Sequence, residues 1–456
     1  MENCDKFNFL REKFSFFRFQ KYEYILDKSG VLCVKFLFSL NDEIFFRPSF
    51  EIPSRDFYYW NDISDNQLNT LIANIGMVEL VSYWKLACPK MVYVDVMHLD
   101  DYQTKWWRKL YYNGLGEFFY LNGIKTDMDS FMQIVSTSDN DCPAVEVDLE
   151  DRTLVPVGGG KDSVVTLELL KDKTQVIPMI INPRAATTEC VSVFGVDLED
   201  TAVVKRTLDA TMLKMNAEGY LNGHTPFSAL LAFFTLLLGF GTKSRYIALS
   251  NESSANEPTV PDSEINHQYS KSIAFENDFR DYVKRYISAD IQYFSFLRPL
   301  SELQIAQQFA LCVPYYNHFK SCNAGSKTDV WCGSCPKCLF TWIILSPFIS
   351  LKNLTDIFGK NMWKDKSLKP VLLQLAGLTD IKPFECVGTV DEVRACLNYA
   401  LDDLEDVTDT LLEGLDRFKV PSTEELLCSY NENNNLPYRF DEIIRKKIYE
   451  LNNKFS

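Results

Sequence analysis

Hydrophobic and polar positions alternate through much of the first 60 residues. The stretches "KFSFFRFQKYEYIL", "VLCVKFLFSL" and "EIFFRPSFEI" are rich in Phe, Tyr, Val and Ile, and the turn-forming segments "DKSG" and "LNDE" separate them. A period of two that is interrupted by turn residues is typical of antiparallel strands. The sequence therefore predicts a β-meander over residues 8–60. Helices are expected over 66–120, with one strand at "MVYVDVMHL".

The pattern changes after the polar, turn-rich segment 136–153. Short apolar runs then alternate with longer segments of helical periodicity, which predicts a parallel sheet with helices on both faces. The predicted strands are 154–157, 175–181, 245–250 and 291–297, and the predicted helices are 163–172, 198–217, 226–240 and 268–288. Active sites of such sheets lie at the carboxyl ends of the strands.

A chain of 456 residues is too long for one ordinary core. The predicted class is α/β, with a parallel-sheet nucleotide domain, an N-terminal β-rich domain and a C-terminal helical region. The predicted division is 1–145 for the β-rich and then helical domain, 146–320 for the nucleotide domain, 321–340 for a cysteine knuckle and 341–456 for the helical region.

Composition narrows the partners and the compartment. The net charge of −15 argues against non-specific binding to nucleic acid. The longest apolar runs, 229–240 and 339–351, are too short to span a bilayer, and the first residues lack the apolar core of a signal peptide. We expect a cytoplasmic protein with no membrane association and no obligatory protein partner, whose 13 cysteines are thiols or metal ligands.

The stretch "LVPVGGGKDSVVTLELLK" (154–171) joins a strand to a helix through three glycines. Glycines let backbone N–H groups crowd around an anion, and the helix adds its positive N-terminal end. A Walker A loop would need glycine at Val155 and Ser or Thr at Asp162. A dinucleotide fingerprint would need glycine at Ser163. A tight strand-to-helix turn without function is the alternative interpretation.

The loop is similar to the PP-loop of ATP pyrophosphatases, whose usual form is S-G-G-x-D-S. Gly159, Gly160, Asp162 and Ser163 match it, whereas Gly158 stands where that family has serine. The resemblance implies a HUP-like nucleotide domain that cleaves ATP between the α and β phosphates.

The same resemblance implies roles for neighbouring residues. Ser163 would bind a pyrophosphate oxygen and Lys161 would add a positive charge. Asp162 would bind Mg²⁺ or cap the loop backbone. Asn182 and the segment 250–257, after two later strands, would shape the adenine site.

Four of the cysteines fall within 17 residues, at Cys322, Cys332, Cys335 and Cys338. The spacing C-x₉-C-x₂-C-x₂-C has short thiolate knuckles and suits tetrahedral, structural Zn²⁺. Buried reduced thiols, an iron–sulfur cluster or a reactive cysteine pair are the alternatives.

Three further stretches are distinctive: "NGHTPFSALLAFF", "LSNESSANEP" and "KPFECVGTVDE". Together with "GGGKDS", "WCGSCPKCLF" and the β-rich start, they resemble the UDP-N-acetylmuramoyl-L-alanyl-L-glutamate epimerase family of bacteria. The resemblance implies ATP-dependent inversion of the terminal L-Glu of UDP-MurNAc-L-Ala-L-Glu to D-Glu, with release of AMP and pyrophosphate, in peptidoglycan precursor synthesis.

Such a reaction needs a base, an acid on the opposite face and cations for substrate phosphates. His224, before a predicted helix, Cys386 and Glu252 are the candidates for proton transfer, and Arg184 is the candidate for substrate phosphate. A polar loop histidine and a buried cysteine are the simpler interpretations of His224 and Cys386. Two other classes stay open: a PP-loop enzyme of the 7-cyano-7-deazaguanine synthase type or another carboxylate-activating ligase, and a non-enzymatic nucleotide-binding scaffold.

Overall fold

The computed structural model describes residues 2–256, 268–322, 324–325, 328–379, 383, 385 and 387–452. Within these residues the fold is a mixed α/β structure built on one eleven-stranded sheet. The strands are β1 (Phe16–Leu26), β2 (Leu32–Leu40), β3 (Ile44–Phe46), β4 (Ser49–Ile52), β5 (Met91–Val94), β6 (Gln133–Ser136), β7 (Glu150–Pro156), β8 (Gln175–Ile181), β9 (Ala202–Thr207), β10 (Ser244–Leu249) and β11 (Gln292–Ser295).

Helices cover the sheet and form the C-terminal region. In the N-terminal two thirds they are α1 (Asn3–Lys13), α2 (Asp65–Trp84), α3 (Asp101–Gly114), α4 (Gly116–Leu121), α5 (Lys161–Leu170), α6 (Ala185–Phe194), α7 (Ala210–Ala217), α8 (Phe227–Gly241) and α9 (Ile273–Tyr286). Towards the C-terminus they are α10 (Glu302–Phe309), α11 (Pro336–Leu345), α12 (Leu351–Phe358), α13 (Lys369–Leu375), α14 (Val390–Asp403), α15 (Thr423–Leu427) and α16 (Tyr438–Asn452). Short 3₁₀ helices span Trp60–Asp62, Leu198–Asp200, Ser253–Asn256, Tyr269–Lys271, Val313–Tyr315, Met362–Lys364 and Lys366–Leu368.

The second half of the sheet is parallel, as the alternation of strands and helices predicts. Its strand order is β11-β10-β7-β8-β9, and each neighbouring pair is parallel. The chain first moves outward from β7 to β9 and then returns to the other side of β7 with β10. The strand order therefore reverses between β7 and β10, and in open α/β sheets such a switch point creates a crevice.

The first half of the sheet contains the predicted meander, in which β1, β3 and β4 all pair antiparallel with β2. Its predicted start at residue 8 is wrong, because the residues up to Lys13 belong to α1 and the first strand begins at Phe16. The predicted strand at "MVYVDVMHL" is β5, which runs parallel to β1. Strand β4 pairs antiparallel with β9, with Phe50 opposite Arg206. Strands from both sides of the polar segment 136–153 thus belong to one sheet. The division of the chain into four segments stays a prediction.

The predicted helix over 198–217 is wrong in its first half. Residues Ala202–Thr207 form β9, and α7 begins only at Ala210, where the Asp209 side chain accepts the N–H of Thr211 at 2.6 Å. Ala202, Val203 and Val204 are buried between β8 and β4. Such a short apolar run fits a helix or a strand equally well, and its neighbours in the sheet decide between them.

Helix α8 explains the longest apolar run of the chain. Nearly all of its residues from Ala229 to Gly241 are buried. It packs beside α2 and under β10, and close approach requires Gly241, where a Cβ would lie 2.6 Å from the Trp60 ring. Among the described residues no helix is long and apolar enough to cross a membrane.

Candidate active site

A cleft of about 510 Å³ opens at the switch point of the sheet, at the carboxyl ends of β7 and β10. The loops after three parallel strands, the start of α8 and the segment before α11 provide its walls. Residues that line it include Val157, Gly158, Gly160, Asp162, Ser163, Ile181, Arg184, Thr187, Phe227, Ser228, Ser250, Asn251, Lys271, Lys320, Ser321, Cys322 and Lys337. The predicted glycine loop therefore forms part of a cleft at the switch point of the parallel sheet.

The three glycines of the loop differ in what their backbone requires. Gly159 has a φ of +80°, and a Cβ there would lie 3.0 Å from the Ala186 carbonyl carbon. Gly160 is the N-cap of α5, whereas a Cβ at Gly158 would meet only open space. The amides of these glycines donate to no other described residue, so they are available to an anion. The Ser163 hydroxyl donates to the Gly160 carbonyl at 3.0 Å.

Positive charge dominates the lining of the cleft. Arg184, Lys271, Lys320 and Lys337 line it, and among the described lining residues Asp162 is the one carboxylate. Four cations against one carboxylate give the lining residues an excess of positive charge in a chain whose net charge is −15, although Arg184 is paired with Asp329 outside the lining. A cleft that concentrates one sign of charge attracts ligands of the opposite sign, so this one suits a polyanion.

Lys161 is buried and forms ion pairs below the glycine loop. Its Nζ lies 2.5 Å from an Asp162 oxygen and also contacts the Glu302 carboxylate at the start of α10. Burial alone would lower the pKa of Lys161, but the charges of Asp162 and Glu302 raise it above its ordinary value. Lys161 is an ammonium group that fixes the loop to α10, and within the described residues it does not line the cleft.

Glu302 and two further carboxylates, Glu252 and Glu392, are buried. Burial raises the pKa of Glu302 to about 7. Burial, followed by the neighbouring charge of Glu392, raises the pKa of Glu252. Glu392 accepts the Leu303 N–H at 3.0 Å and caps α14 through Thr389. The Glu392 carboxylate therefore links α14 to α10, the helix whose Glu302 pairs with Lys161.

The pKa of Asp162 is shifted in the opposite direction. Burial would raise the pKa of Asp162, but the charges of Lys161 and Lys337 lower it below its ordinary value. The Asp162 carboxylate, which lines the cleft, is thus kept ionised, while the buried Glu252 is made more basic.

The remaining predicted site residues lie at different places. Asn182, with a φ of +52°, holds the Arg206 backbone at both its N–H and its C=O, at 2.7 and 3.1 Å. His224 lies before α8 with its Nδ1 3.9 Å from Glu117, whereas Phe227 and Ser228 in the next turn line the cleft. Cys386 lies outside the described residues. The roles of these three residues stay predictions.

The four clustered cysteines lie together between the cleft and α11. Their Sγ atoms all fall within 4.8 Å of one another, and three of the separations are 3.7, 3.7 and 3.5 Å. A tetrahedral zinc with Zn–S bonds of about 2.3 Å would need separations of about 3.8 Å. These thiols are therefore close enough to hold one metal ion.

Several residues of the site were not identified from the sequence. Lys337 lies between the two cysteines of "CPKC". That position inside the cysteine cluster is the sequence feature that could have identified it as a site residue. Lys271 and Lys320 carry no local pattern that separates them from surface lysines. Glu302 follows Ser301, which forms a capping box with Gln304, but the burial of Glu302 against Lys161 depends on packing between distant helices.

Comparisons with known proteins agree along the chain. Residues 8–296 match the MurL N-terminal domain and residues 318–425 match the MurL C-terminal domain. The chain is 34% identical over 333 residues to the UDP-N-acetyl-alpha-D-muramoyl-L-alanyl-L-glutamate epimerase of Xanthomonas oryzae pv. oryzae, which covers 71% of this chain and 72% of that protein. It is 34% identical over 350 residues to the protein of the same name from Salinispora tropica, which covers 74% of each.

A protein of that name from Micromonospora sp. is 32% identical over 346 residues, covering 74% of this chain and 76% of its own. No solved structure matches the chain significantly. Two domain matches in the expected order and three relatives that align over most of their length agree with the stretches that first suggested this resemblance. The chain therefore belongs to the MurL family of epimerases.

Proposed function

We propose that this protein inverts the terminal L-Glu of UDP-MurNAc-L-Ala-L-Glu to D-Glu at the expense of ATP, which becomes AMP and pyrophosphate. The names of its relatives support the substrate. The observation that carries the ATP requirement is the cationic cleft at the switch point, with a PP-loop-like glycine segment as its floor. The place of action is the cytoplasm, where ATP is available.

The cleft fits a nucleoside triphosphate in charge and in donors. The free amides of Gly158–Gly160 and the N-terminus of α5 suit phosphate oxygens. Asp162 is ionised and lines the cleft, so it is the residue that would hold the Mg²⁺ accompanying ATP. That ion would neutralise phosphate charge. The fold around this loop is, in this proposal, a HUP-like PP-loop domain.

Adenylation makes the inversion chemically accessible. The proton on Cα beside a free carboxylate is a very weak acid, because its removal would build up a second negative charge. In the proposed sequence the glutamate carboxylate attacks the α-phosphorus and pyrophosphate leaves. The resulting acyl-adenylate withdraws electrons from Cα, so a side chain of ordinary basicity can remove the proton. Reprotonation from the opposite face and attack of water on the acyl group then give D-Glu and AMP.

Glu252 is the preferred base in this proposal, since burial raises its pKa and so makes it a stronger base than an ordinary carboxylate. His224 and Cys386 are the candidates for the acid on the other face. Asn182 is proposed to shape the adenine end, at the end of β8. The β-rich N-terminal half is the proposed contact for the UDP-sugar part.

The Sγ separations support zinc as the metal of the four cysteines. The buried ligands Cys322 and Cys338 suit a structural ion that stabilises the segment between the glycine loop and α11.

A paired incubation tests this function. The protein is given Mg·ATP with either UDP-MurNAc-L-Ala-L-Glu or 7-carboxy-7-deazaguanine. We expect AMP and, after acid hydrolysis, D-Glu from the first mixture alone. Activity on the deazaguanine, with no D-Glu from the muropeptide nucleotide, would refute the assignment in favour of the other PP-loop class.

A further inference from the structure

The cysteine segment touches the glycine loop directly. The Lys320 N–H donates to the Gly159 carbonyl at 2.7 Å. A Cβ added at Gly160 would lie 3.2 Å from the Cβ of Ser321, and the next residue is the first cluster ligand, Cys322. The segment that enters the thiol cluster therefore lies against the loop that would hold phosphate.

A second connection lies on the other side of the loop. Asp329, between the first and second cluster cysteines, accepts the Ala185 N–H at 2.8 Å and pairs with Arg184 at 3.4 Å. Arg184 in turn donates to the Gly158 carbonyl at 3.2 Å. The residues just before Cys322 therefore contact the glycine loop directly, and Asp329 is connected to it through Arg184.

The thiol cluster also sets the position of Lys337. Cys335 is the N-cap of α11, and Lys337 is the second residue of that helix. Lys337 is 7% exposed, yet it lines the cleft. Burying an ammonium is costly unless anions compensate it. The carboxylates of Asp162 and Glu302 supply part of that compensation, because the charge of Lys337 acts on both of them. Lys337 thus stands between Cys335 and Cys338 of the thiol cluster and at the same time lines the cleft.

We propose that Lys337 binds the phosphate chain of ATP and that the metal-loaded thiol cluster holds it there. This inference rests on the proposed function, because it assumes that ATP binds in this cleft. Lys337 lies in the region that matches the MurL C-terminal domain, so this region would form part of the nucleotide site. Nucleotide affinity should then depend on the metal through Lys337.

Calorimetric titration with Mg·ATP tests the contact. The variants are Lys337→Met, Lys337→Arg and the control Lys360→Met. Lys360 also lies beside the cysteine segment, since a Cβ at Gly333 would be 2.8 Å from its Cε. Unlike Lys337, it pairs with Asp365 at 2.5 Å and is not among the described residues that line the cleft. Zinc content and the unfolding midpoint are measured for each protein.

We expect Lys337→Met to weaken ATP binding by about 10- to 100-fold, the worth of one charged hydrogen bond. Lys337→Arg should retain more affinity than Lys337→Met, and Lys360→Met should bind like wild type, with equal zinc in all. Removal of zinc by a chelator should weaken ATP binding strongly in wild type and less in Lys337→Met, because both changes act on one contact.

Wild-type affinity in Lys337→Met would overturn the inference and leave the proposed function intact. Loss of zinc from Lys337→Met would also overturn it, because the effect would then be structural. Absence of ATP binding by the zinc-loaded wild type would overturn both the inference and the proposed function.

Discussion

Replacement of Gly159 by alanine tests the geometry of the glycine loop. An L-residue at a φ of +80° costs about 1–2 kcal/mol. The added Cβ would also lie 3.0–3.1 Å from backbone and side-chain atoms of Ala186, at the start of α6. Forcing an extra methyl into such a contact costs about 1–3 kcal/mol. We expect Gly159→Ala to lower the free energy of unfolding by about 2–5 kcal/mol.

Gly158→Ala is the matched control, because its Cβ would enter open space and its φ lies outside the left-handed region. Its effect should stay within about 0.5 kcal/mol. Urea denaturation followed by tryptophan fluorescence measures both variants, and AMP release shows whether the loop still works. Equal unfolding free energies for the two variants would refute the described conformation of the loop.

Three further substitutions address the site. Cys335→Ser should lose bound zinc by metal analysis, whereas the exposed Cys428→Ser should keep it; unchanged zinc in Cys335→Ser would contradict the cluster as a metal site. Ser163→Ala removes one hydroxyl whose hydrogen bond to the Gly160 carbonyl is worth only about 1 kcal/mol of unfolding free energy. The proposed bond of that hydroxyl to a charged phosphate oxygen is worth about 1.5–3 kcal/mol, so AMP formation should fall by about tenfold or more; the reverse pattern would make Ser163 structural. Because burial raises the pKa of Glu302 from 4.5 to about 7, its contribution to stability is complete below about pH 4.5 and is lost as the pH rises through about 7. Glu302→Gln cannot titrate and should flatten the fall in unfolding free energy over that pH range. An unchanged dependence of the unfolding free energy on pH would contradict the raised pKa of Glu302.

The sequence was sufficient for features with strong local signals. The antiparallel meander followed from period-two alternation, and the glycine loop, the β7–α5 turn and the cysteine cluster followed from residue types at fixed spacing. The carboxyl-end rule for parallel sheets also gave the location of the cleft correctly.

Features that depend on tertiary contacts were missed. Strand β9 is a strand because β8 and β4 flank it, not because of its short apolar run. The ion pair of Lys161 with Glu302, which lies 141 positions later in the chain, was not predicted, while the role of Lys161 at the phosphate stays a prediction. Such a buried ion pair leaves no periodic pattern, because each partner alone resembles an ordinary residue at a helix start.

The most direct test of the central claim follows the reaction in D₂O with ATP present or withheld. We expect D-Glu to form only with ATP, one AMP to be released for each inverted glutamate, and the D-Glu to carry deuterium at Cα. Formation of D-Glu without ATP, or inversion without deuterium at Cα, would contradict activation of the carboxylate followed by proton exchange.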